Sequence, residues 1–494
     1  MSYRELHNRL NGRLTAATVP AAPAAGRGGF SYEGAKTQRG SNHWSSTEYN
    51  RNNARNVNFG SGNTNNNNKY NGYVIRPVSA YGDYVPAPFL ASVWEAYADC
   101  LRGKSRSRQA VEYMKQADED IPRLAWELWT GEYKPGTSTC FLVRYPKLRE
   151  VFAAGFRDRI VHHWICLRLE PLFEERFVSQ GNVSFNCRKG FGTDKAVKHV
   201  AEGMSRVSDN YHREAWVFRG DLVGFFMSID KQLLWYRLER FIRRRFKGAY
   251  KDILTLTAWK VVMHHPERNC VLNTEPKEWA NLAPNKSLFT SPTGEPIGNL
   301  TTQLFANFLM SYFVSYVQWL YRGKNYCFAQ FVDDFIIVCD DLQYLIGSIP
   351  KIARYLKEKM LLTMHTDKRY LQPVSHGILF VGSYIKPGRL YLSNRTLARM
   401  KEHCEGFGKL LEDGDVAQQD LEHIEQVMNS YLGFTRRRET YDFRRQCIEA
   451  MGIGFWNYFY VKGHFESIRR KRKRLTIETI QDNDEQSNLP STPA

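Results

Sequence analysis

Apolar residues recur at regular spacing from about residue 88 onwards, and this spacing predicts where the helices lie. A period of three to four residues, typical of amphipathic helices, marks 89–104, 107–131, 157–180, 300–320 and 343–361. Pro171 is expected to break the third of these helices, because proline lacks the backbone N–H and its ring clashes with the preceding turn.

Alternating apolar and polar residues predict strands in other parts of the chain. We expect a hairpin over 137–156, further strands over 376–392, and a strand, a turn and a helix beginning near Asp230 within 215–230. From 395 to about 474 the pattern is helical and basic. Strands and helices joined by long connections predict an α+β fold, with an antiparallel sheet backed by helices and helical segments at each end.

The segment QFVDDFIIV, residues 330–338, places two aspartates inside a run of aromatic and β-branched residues. Two carboxylates within one buried strand would be costly, so the run predicts a strand, a tight turn holding Asp333 and Asp334, and a second strand. Such a turn is either a solvated hairpin tip or a site where a cation neutralises the pair. Magnesium, which prefers carboxylate oxygen, suits the second interpretation.

The overall charge favours a polyanionic partner, the alternative being a basic protein that binds none. Lys and Arg number 69 against 51 Asp and Glu in 494 residues, giving a formal net charge of +18. Nine cysteines without a CxxC pair argue against a zinc site or disulfide framework and fit a reducing cytosol. Without an apolar stretch of about 18 residues or a signal peptide, we expect a cytoplasmic protein with no membrane partner.

The two ends of the chain differ in composition from the rest. Residues 1–36 are rich in Ala, Gly and Pro, and 42–71 are rich in Asn with interleaved aromatic residues. Since Asn favours turns and left-handed positions, we expect neither a regular helix nor a regular sheet there. The polar, acidic tail at 475–494 is expected to be disordered.

A third candidate carboxylate, Asp221, follows the predicted strand 216–218. It lies about 112 positions before the aspartate pair, so the three can converge only if their strands are neighbours in one sheet. Three carboxylates that hold two magnesium ions can activate a 3′-hydroxyl and stabilise a leaving pyrophosphate. Taken alone, Asp221 would more simply be a helix cap or a surface turn.

Two glycine-containing segments are candidates for nucleotide contacts. Arg188 and Lys189 lie beside two glycines, and cations on such a bend can hold a triphosphate, although many basic turns are only solvated. In GEPIGNLTTQ, residues 294–303, two glycines and a proline precede a predicted helix. Glycine permits close approach of a ligand and Gln303 can hydrogen-bond a base, while the simpler alternative is an ordinary helix start.

Taken in order, the basic glycine turn, the aspartate strand, the PIG helix and the Asp–Asp hairpin resemble the reverse transcriptases over about residues 90–460. The resemblance implies a right-hand polymerase fold with fingers, palm and thumb. The expected units are an N-terminal segment (1–78), N-terminal helices and fingers (79–214), a palm with fingers insertions (215–392), a helical basic thumb (393–474) and a disordered tail (475–494).

The same resemblance implies roles for single residues. Asp221, Asp333, Asp334 and the backbone carbonyl of Leu222 would hold two Mg²⁺ ions, for which Mn²⁺ could substitute in vitro. The expected nucleotide contacts are Arg188, Lys189, Phe226, Ile297, Gly298, Gln303 and Lys368. Among them, Phe226 resembles the steric gate that excludes a 2′-hydroxyl, and Lys368 the lysine near the departing pyrophosphate.

The pattern I-G-x-x-x-[ST]-Q at 297–303 resembles the reverse transcriptases of diversity-generating retroelements, whereas most reverse transcriptases carry Gln before this glycine. Ile297 cannot donate a hydrogen bond to the incoming nucleotide. Loss of one such bond should weaken discrimination between nucleotides by about 1 kcal/mol, which predicts low fidelity. The Asn-rich segment resembles the variable region of lectin-like target proteins. Residues 1–78 are therefore either translated template-repeat sequence or a loop-rich accessory module.

The expected function is that of a bacterial or phage-encoded RNA-directed DNA polymerase that copies a template repeat with errors. Its partners would be template RNA, the cDNA–RNA duplex, dNTPs and a basic accessory protein. Basic residues of 435–445 and 469–474 would follow the duplex phosphates. The alternatives are an antiphage-defence, retron or group II intron reverse transcriptase and, in another class, a non-catalytic RNA-binding protein on a polymerase fold.

Overall fold

The computed structural model describes residues 85–144, 147–291, 293–412 and 416–471, together with the backbone of four strands between residues 42 and 75. The predictions made for 475–494, for the basic residues from 472 onwards and for most of 1–78 lie outside the described residues. Among the helices that are described, none combines the length and apolar character needed to cross a bilayer.

Backbone hydrogen bonds organise part of the Asn-rich segment into a small sheet. Its strands are β1 (Asn42–Glu48), β2 (Asn53–Asn58), β3 (Thr64–Asn68) and β4 (Val74–Ile75), in the order β3-β2-β1-β4. β1 pairs antiparallel with β2 and parallel with β4. The expectation of no regular sheet is therefore wrong, because pairing needs only backbone donors and acceptors and no proline interrupts this part of the chain.

The rest of the described chain alternates helices, short sheets and loops. Its helices are α1 (Ala87–Leu101), α2 (Arg108–Met114), α3 (Ala117–Thr130), α4 (Phe156–Ser179), α5 (Thr193–Val207), α6 (Phe225–Ser228), α7 (Lys231–Arg245), α8 (Lys251–Val262), α9 (Pro276–Trp279), α10 (Leu300–Leu320), α11 (Leu342–Met360), α12 (Asn394–Glu412), α13 (Gln418–Thr435), α14 (Tyr441–Glu449) and α15 (Gly452–Tyr458). Its strands are β5 (Ser138–Val143), β6 (Arg149–Ala153), β7 (Trp216–Gly220), β8 (Cys270–Leu272), β9 (Tyr326–Phe331), β10 (Asp334–Cys339), β11 (Tyr370–Pro373), β12 (Ile378–Phe380), β13 (Ser383–Lys386), β14 (Arg389–Leu392), β15 (Phe459–Lys462) and β16 (Ser467–Arg470). The mixed α+β composition with antiparallel sheets confirms that part of the fold prediction.

The helices predicted from apolar spacing are present, with differences in 107–131 and in α4. Residues 107–131 form two helices, α2 and α3, separated by a turn at Lys115 and Gln116. The other difference concerns Pro171 in α4. This helix runs through Pro171 without the expected break. Pro171 is exposed, so the carbonyl that loses its partner one turn earlier can be hydrated, which lowers the cost of an internal proline. The predicted start of α7 is also found, because the Asp230 side chain caps it by accepting from the Leu233 N–H at 2.7 Å.

The predicted hairpin of β5 and β6 is present and gains a third strand. β8 pairs parallel with β5, so the order is β6-β5-β8. Cys140, Phe152, Met227 and Leu288 form a small buried cluster beneath this sheet. The cluster ties the hairpin to α6, which immediately follows the segment of Asp221.

A four-stranded antiparallel sheet, in the order β11-β7-β10-β9, forms the centre of the described chain. One face buries Phe218, Phe335 and Ile337 in the large core that includes α10 and α11. The other face buries Ile336 and Val338 with apolar residues of α5. Helices therefore cover both faces, which leaves the strand ends as the place where charged residues of these strands can reach solvent.

The last part of the chain combines a three-stranded sheet, β12-β13-β14, with four helices and a hairpin. The helices α12 to α15 share a buried cluster that includes Met400, Ile424 and Phe455. The helical pattern expected up to residue 474 is wrong at its end, where β15 and β16 pair antiparallel. Ile468 is buried there, and its backbone N–H and carbonyl both bond to the Asn429 side chain of α13, at 2.8 and 3.0 Å.

Gly203 marks how closely α5 approaches β9. A Cβ at this position would overlap the Cys327 side chain, so we expect Gly203→Ala to lower the free energy of unfolding by about 1–3 kcal/mol through over-packing. A Cβ at Gly347, in α11, would meet nothing, and Gly347→Ala should be neutral or stabilising by up to about 1 kcal/mol. Urea unfolding measures both, and equal effects would contradict the close approach of α5 to the sheet.

Candidate active site

The aspartate pair lies at the turn between β9 and β10. Asp334 is the first residue of β10 and pairs with Phe331, so the two turn residues are Val332 and Asp333. The predicted hairpin is therefore present, but Asp334 belongs to a strand rather than to the turn. Val332 has φ of +56°, which is unusual for a β-branched side chain, and its carbonyl accepts a hydrogen bond from Gln330 Nε2 at 2.6 Å.

Strand register brings Asp221 to the same edge of the sheet. β7 pairs antiparallel with β10, and Gly220 faces Phe335. Asp221 and Asp334 are the next residues outward on the two strands, so they lie beside each other at the open end. Both side chains are largely but not fully buried, with 14% of Asp221 and 22% of Asp334 exposed.

The electrostatics of the carboxylates show that they interact. Burial raises the pKa of Asp333 to about 6, with further increases from Asp334 and Asp221 and a partial offset from Arg149. Burial also raises the pKa of Asp334, where Arg219 opposes the shift and Asp221 adds to it. Burial is therefore the main reason that Asp333 and Asp334 bind protons more readily than a free aspartate, and repulsion from neighbouring carboxylates adds to it.

Two cations hold the carboxylates in their present positions. Arg219 donates to Asp334 Oδ1 from Nε at 3.2 Å and from Nη2 at 2.9 Å. Lys368 Nζ donates to Asp221 Oδ2 at 3.0 Å and lies 3.0 Å from His365 Nε2. The structure thus places Lys368, predicted to lie near the departing pyrophosphate, beside Asp221, and adds Arg219, which sequence reasoning missed.

The donor set suits a hard divalent cation in kind, but the side chains do not already enclose one. Within the described ranges, no three His, Cys, Asp or Glu side chains form a group arranged to hold a metal ion. The physical reason is visible in the contacts, since Asp334 turns towards Arg219 and Asp221 towards Lys368. Carboxylate oxygens on neighbouring strands are ligands of the kind that Mg²⁺ prefers.

The Leu222 carbonyl faces the side of the acidic turn. Val223 N–H donates to the Thr363 carbonyl and His365 N–H to the Asp221 carbonyl, each at 2.8 Å. Leu222 and Met364 are therefore a non-hydrogen-bonded pair of an antiparallel bridge. In that geometry the carbonyl of Leu222 points away from Met364, towards the side on which β10 lies.

Arg188 and Lys189 differ sharply in their surroundings. The Arg188 side chain is 1% exposed, and its guanidinium bonds to Glu174, to Asn182 and to the Ser184 carbonyl. Lys189 is 83% exposed and pairs with Glu170 at 3.0 Å. Arg188 therefore builds the turn in this arrangement, and Lys189 is the cation of the pair whose ammonium is exposed to solvent.

The loop before α10 packs against β6. The carbonyl of Ile297 accepts from Phe152 N–H at 2.8 Å, and the Ile297 side chain packs partly buried against the small cluster of Phe152 and Met227. Gly298 has φ of +120°, and a Cβ there would lie 2.7 Å from the Phe152 carbonyl oxygen. Glycine is therefore required at this position by backbone conformation and by close approach.

Phe226 and Gln303 connect the same loop to the two other site segments. Phe226 is partly buried in α6, and its carbonyl accepts from Glu295 N–H at 2.8 Å. Gln303 is exposed on the first turn of α10, where its Oε1 lies 3.5 Å from Cys187 Sγ, next to Arg188. The segments predicted to contact a nucleotide are therefore tied to one another by hydrogen bonds.

Sequence reasoning missed three cations that act on the carboxylates. Arg219 is bonded directly to Asp334, while Arg149 and Lys147, at the β5–β6 hairpin, oppose the raised pKa values of Asp333 and Asp334. Arg149 and Lys147 follow a predicted hairpin strand and could have been noted as basic residues near a turn. Arg219 could not, because its partner is set by strand register.

The raised pKa of Asp333 predicts a stability effect with a definite sign. An acid whose pKa rises on folding, here from 3.8 to about 6, destabilises the fold where it is ionised. The cost is complete above about pH 6 and disappears as the pH falls towards about 4. We expect Asp333→Asn to raise the free energy of unfolding by about 2 kcal/mol at pH 7 and by progressively less towards about pH 4.

Urea unfolding at several pH values measures this effect. Asp442→Asn is the control, because 78% of that carboxylate side chain is exposed and its substitution should change little at any pH. A loss of stability for Asp333→Asn at pH 7, or a gain that does not depend on pH, would contradict the raised pKa of the buried Asp333 carboxyl.

Comparison with known proteins gives distant matches, and no family model matches the chain. Protein YkfC of Escherichia coli (strain K12) is 22% identical over 290 residues, which cover 52% of this chain and 68% of YkfC. The apo telomerase structure from Candida tropicalis has a TM-score of 0.42 at 11% identity, covering 64% of this chain and 59% of that chain. Telomerase from Candida albicans in complex with a TWJ fragment of telomeric RNA has a TM-score of 0.37 at 12% identity, covering 66% of this chain and 59% of that chain. The chain spans less than two thirds of these telomerase chains, and the functional proposal depends on its own residues.

Proposed function

We propose that this chain is an RNA-directed DNA polymerase that extends a primer by two-metal nucleotidyl transfer. The observation that carries the proposal is the register of β7 against β10, which puts Asp221 beside the Asp333–Asp334 turn. A merely solvated hairpin tip would not require Asp221 beside it, because a third carboxylate at the same edge only adds repulsion. Burial, together with repulsion from Asp334 and Asp221, raises the pKa of Asp333 and favours a bound cation as the counterpart.

Asp221, Asp333, Asp334 and the Leu222 carbonyl would hold the metal ions. When bound, two Mg²⁺ ions would supply Lewis-acid activation of the primer 3′-hydroxyl and neutralise charge on the leaving pyrophosphate. Lys368, 3.0 Å from Asp221, places a half-exposed positive charge at the same edge. Arg219 keeps Asp334 oriented through two donors on one oxygen.

The nucleotide would lie between the acidic edge, α6 and the loop before α10. Lys189 offers an exposed ammonium for the triphosphate, and Gly298 lets the loop before α10 pack closely against Phe152 of β6. Phe226, on the helix after Asp221, would meet the sugar and exclude a 2′-hydroxyl. Gln303 would contact the template or the base, with Cys187 holding its amide oxygen.

More specifically, we propose a polymerase of the diversity-generating retroelement type. The support is the sequence pattern I-G-x-x-x-[ST]-Q at 297–303. Ile297 supports it, since an aliphatic side chain packed against Phe152 cannot donate to the nucleotide. The alternatives are an antiphage-defence or retron-type reverse transcriptase and, in another class, a non-catalytic RNA-binding protein. Template RNA, dNTPs and a basic accessory protein are the proposed partners, in a cytoplasmic setting.

Loss of one site carboxylate separates the enzyme from the non-catalytic RNA-binding protein. We expect Asp333→Asn to reduce extension of a DNA primer on an RNA template at least about 100-fold with Mg²⁺, because several kcal/mol of charge stabilisation is lost. Binding of the same primer–template should change little, and Asp442→Asn should retain activity. Undiminished extension by the Asp333→Asn protein would overturn the assigned site, and absence of extension by the parent chain would favour the RNA-binding alternative.

Phe226 predicts the sugar selectivity of the reaction. We expect Phe226→Ala to raise ribonucleotide incorporation relative to deoxyribonucleotides by about tenfold or more, because the ring would no longer oppose the 2′-hydroxyl. Phe225→Ala is a less suitable comparison since that ring is buried, so Phe226→Tyr serves as the control that keeps the bulk. Single-nucleotide incorporation measures the ratio, and an unchanged ratio for Phe226→Ala would contradict the gate.

A further inference from the structure

A row of aromatic side chains lies on α10, away from the candidate active site. Trp319 is 67% exposed, and its ring lies 5.8 Å from that of Tyr316 at an interplanar angle of 30°. Tyr316 in turn stacks on Tyr355 of α11 at 3.9 Å and 4°. The Tyr316 and Tyr355 rings therefore pack beside Trp319, and much of the indole remains open to solvent.

The row is extended towards α7 by a fourth ring held between two guanidinium groups. Tyr312 lies one helical turn before Tyr316, and the guanidinium carbons of Arg176 and Arg237 lie 4.6 and 4.4 Å from its ring centroid. The Tyr355 hydroxyl donates to the Tyr312 carbonyl at 3.3 Å. Aromatic and cationic groups thus alternate along a single surface.

Two of the helices around this row, α7 and α11, are strongly positive, whereas α4, which supplies Arg176, carries four basic and four acidic residues. α7, α10 and α11 together carry ten Lys and Arg and two Glu, and α10 contributes no charged residue. Lys351, Arg354 and Lys359 are exposed on α11, and in the part of the chain that the structure describes none of them is ion-paired with a carboxylate. By contrast, Arg438 and Arg470, near the end of the chain, are paired with Asp194 and with Glu422 and Glu425.

This surface is separate from the acidic edge. Gln303 begins α10 near the predicted nucleotide contacts, and Trp319 lies sixteen residues further on, about 24 Å along the helix axis. We call Tyr316, Trp319, Lys351, Arg354 and Tyr355 the aromatic–basic surface. A ligand there would contact residues other than the predicted nucleotide contacts.

We propose that the aromatic–basic surface binds a single-stranded RNA segment, with a base stacked on Trp319 and phosphates near Lys351 and Arg354. Every base offers a π-face, so stacking on an exposed indole beside unpaired cations is the chemistry of sequence-tolerant single-strand binding. An acidic peptide would use the cations but not the open face of Trp319. The choice of RNA rests on the proposed function, and the binding itself does not require catalysis.

The test is the affinity of the full chain for a fluorescently labelled single-stranded RNA of about 12 nucleotides, in the presence of saturating unlabelled primer–template duplex. We expect Trp319→Ala to weaken binding about tenfold and Trp319→Phe to weaken it less, because the ring is kept. Arg354→Glu should weaken binding and lower the slope of log affinity against log salt by roughly 0.7 for each phosphate that the chain no longer neutralises.

Matched controls are Trp456→Ala, which removes the other exposed tryptophan among the described residues, and Lys198→Glu, which reverses an exposed charge on α5. Equal losses of affinity for Trp319→Ala and Trp456→Ala, or no loss for Trp319→Ala, would overturn the proposal. Displacement of the RNA by an acidic peptide at equal charge would assign the surface to a protein partner instead. Primer extension by the Trp319→Ala chain on a short template should persist. A wrong assignment of the RNA-binding surface can therefore be distinguished from a wrong assignment of polymerase activity.

Discussion

The antiparallel register between β7 and β10 is the constraint on which the candidate site depends. Gly220 faces Phe335, and Asp221 and Asp334 follow at the same end of the two strands. Because side chains alternate between the faces of a strand, a slip of one residue would exchange the buried faces and move the carboxylates apart. Burial of Phe218 and Phe335 in one core and of Val217 and Ile336 in the other fixes the register against such a slip.

This register forces like charges together, and the surrounding residues offset part of the cost. Arg219 and Lys368 each bond to one of the carboxylates, and the hairpin turn holds Val332 in a conformation that its side chain disfavours. A chain selected for stability alone would avoid both the repulsion and the strain. Their presence at one strand edge supports the proposed cation site.

Much of this arrangement could be predicted from local pattern, and the rest depends on contacts between distant segments. Helix spacing predicted α10 and α11, and the run around Asp333 predicted the β9–β10 hairpin, because each pattern is local. The partner of Arg219 depends on β10, 115 residues away, and could not be inferred from neighbours. Arg188 was predicted from its glycine turn to contact a triphosphate, but α4 supplies Glu174, with which the buried guanidinium pairs. Strands in the Asn-rich segment and the β15–β16 hairpin were missed because backbone pairing overrides weak side-chain preferences.

The central claim, that Asp221 and the Asp333–Asp334 turn share divalent cations, is tested most directly by Mn²⁺ binding to the whole chain, followed by electron paramagnetic resonance. Parallel titrations of the parent, Asp221→Asn and Asp333→Asn proteins report whether the residues act on the same ion without requiring turnover. The account predicts saturable binding to the parent that either substitution weakens by an order of magnitude or more. Binding that survives both substitutions unchanged would contradict it.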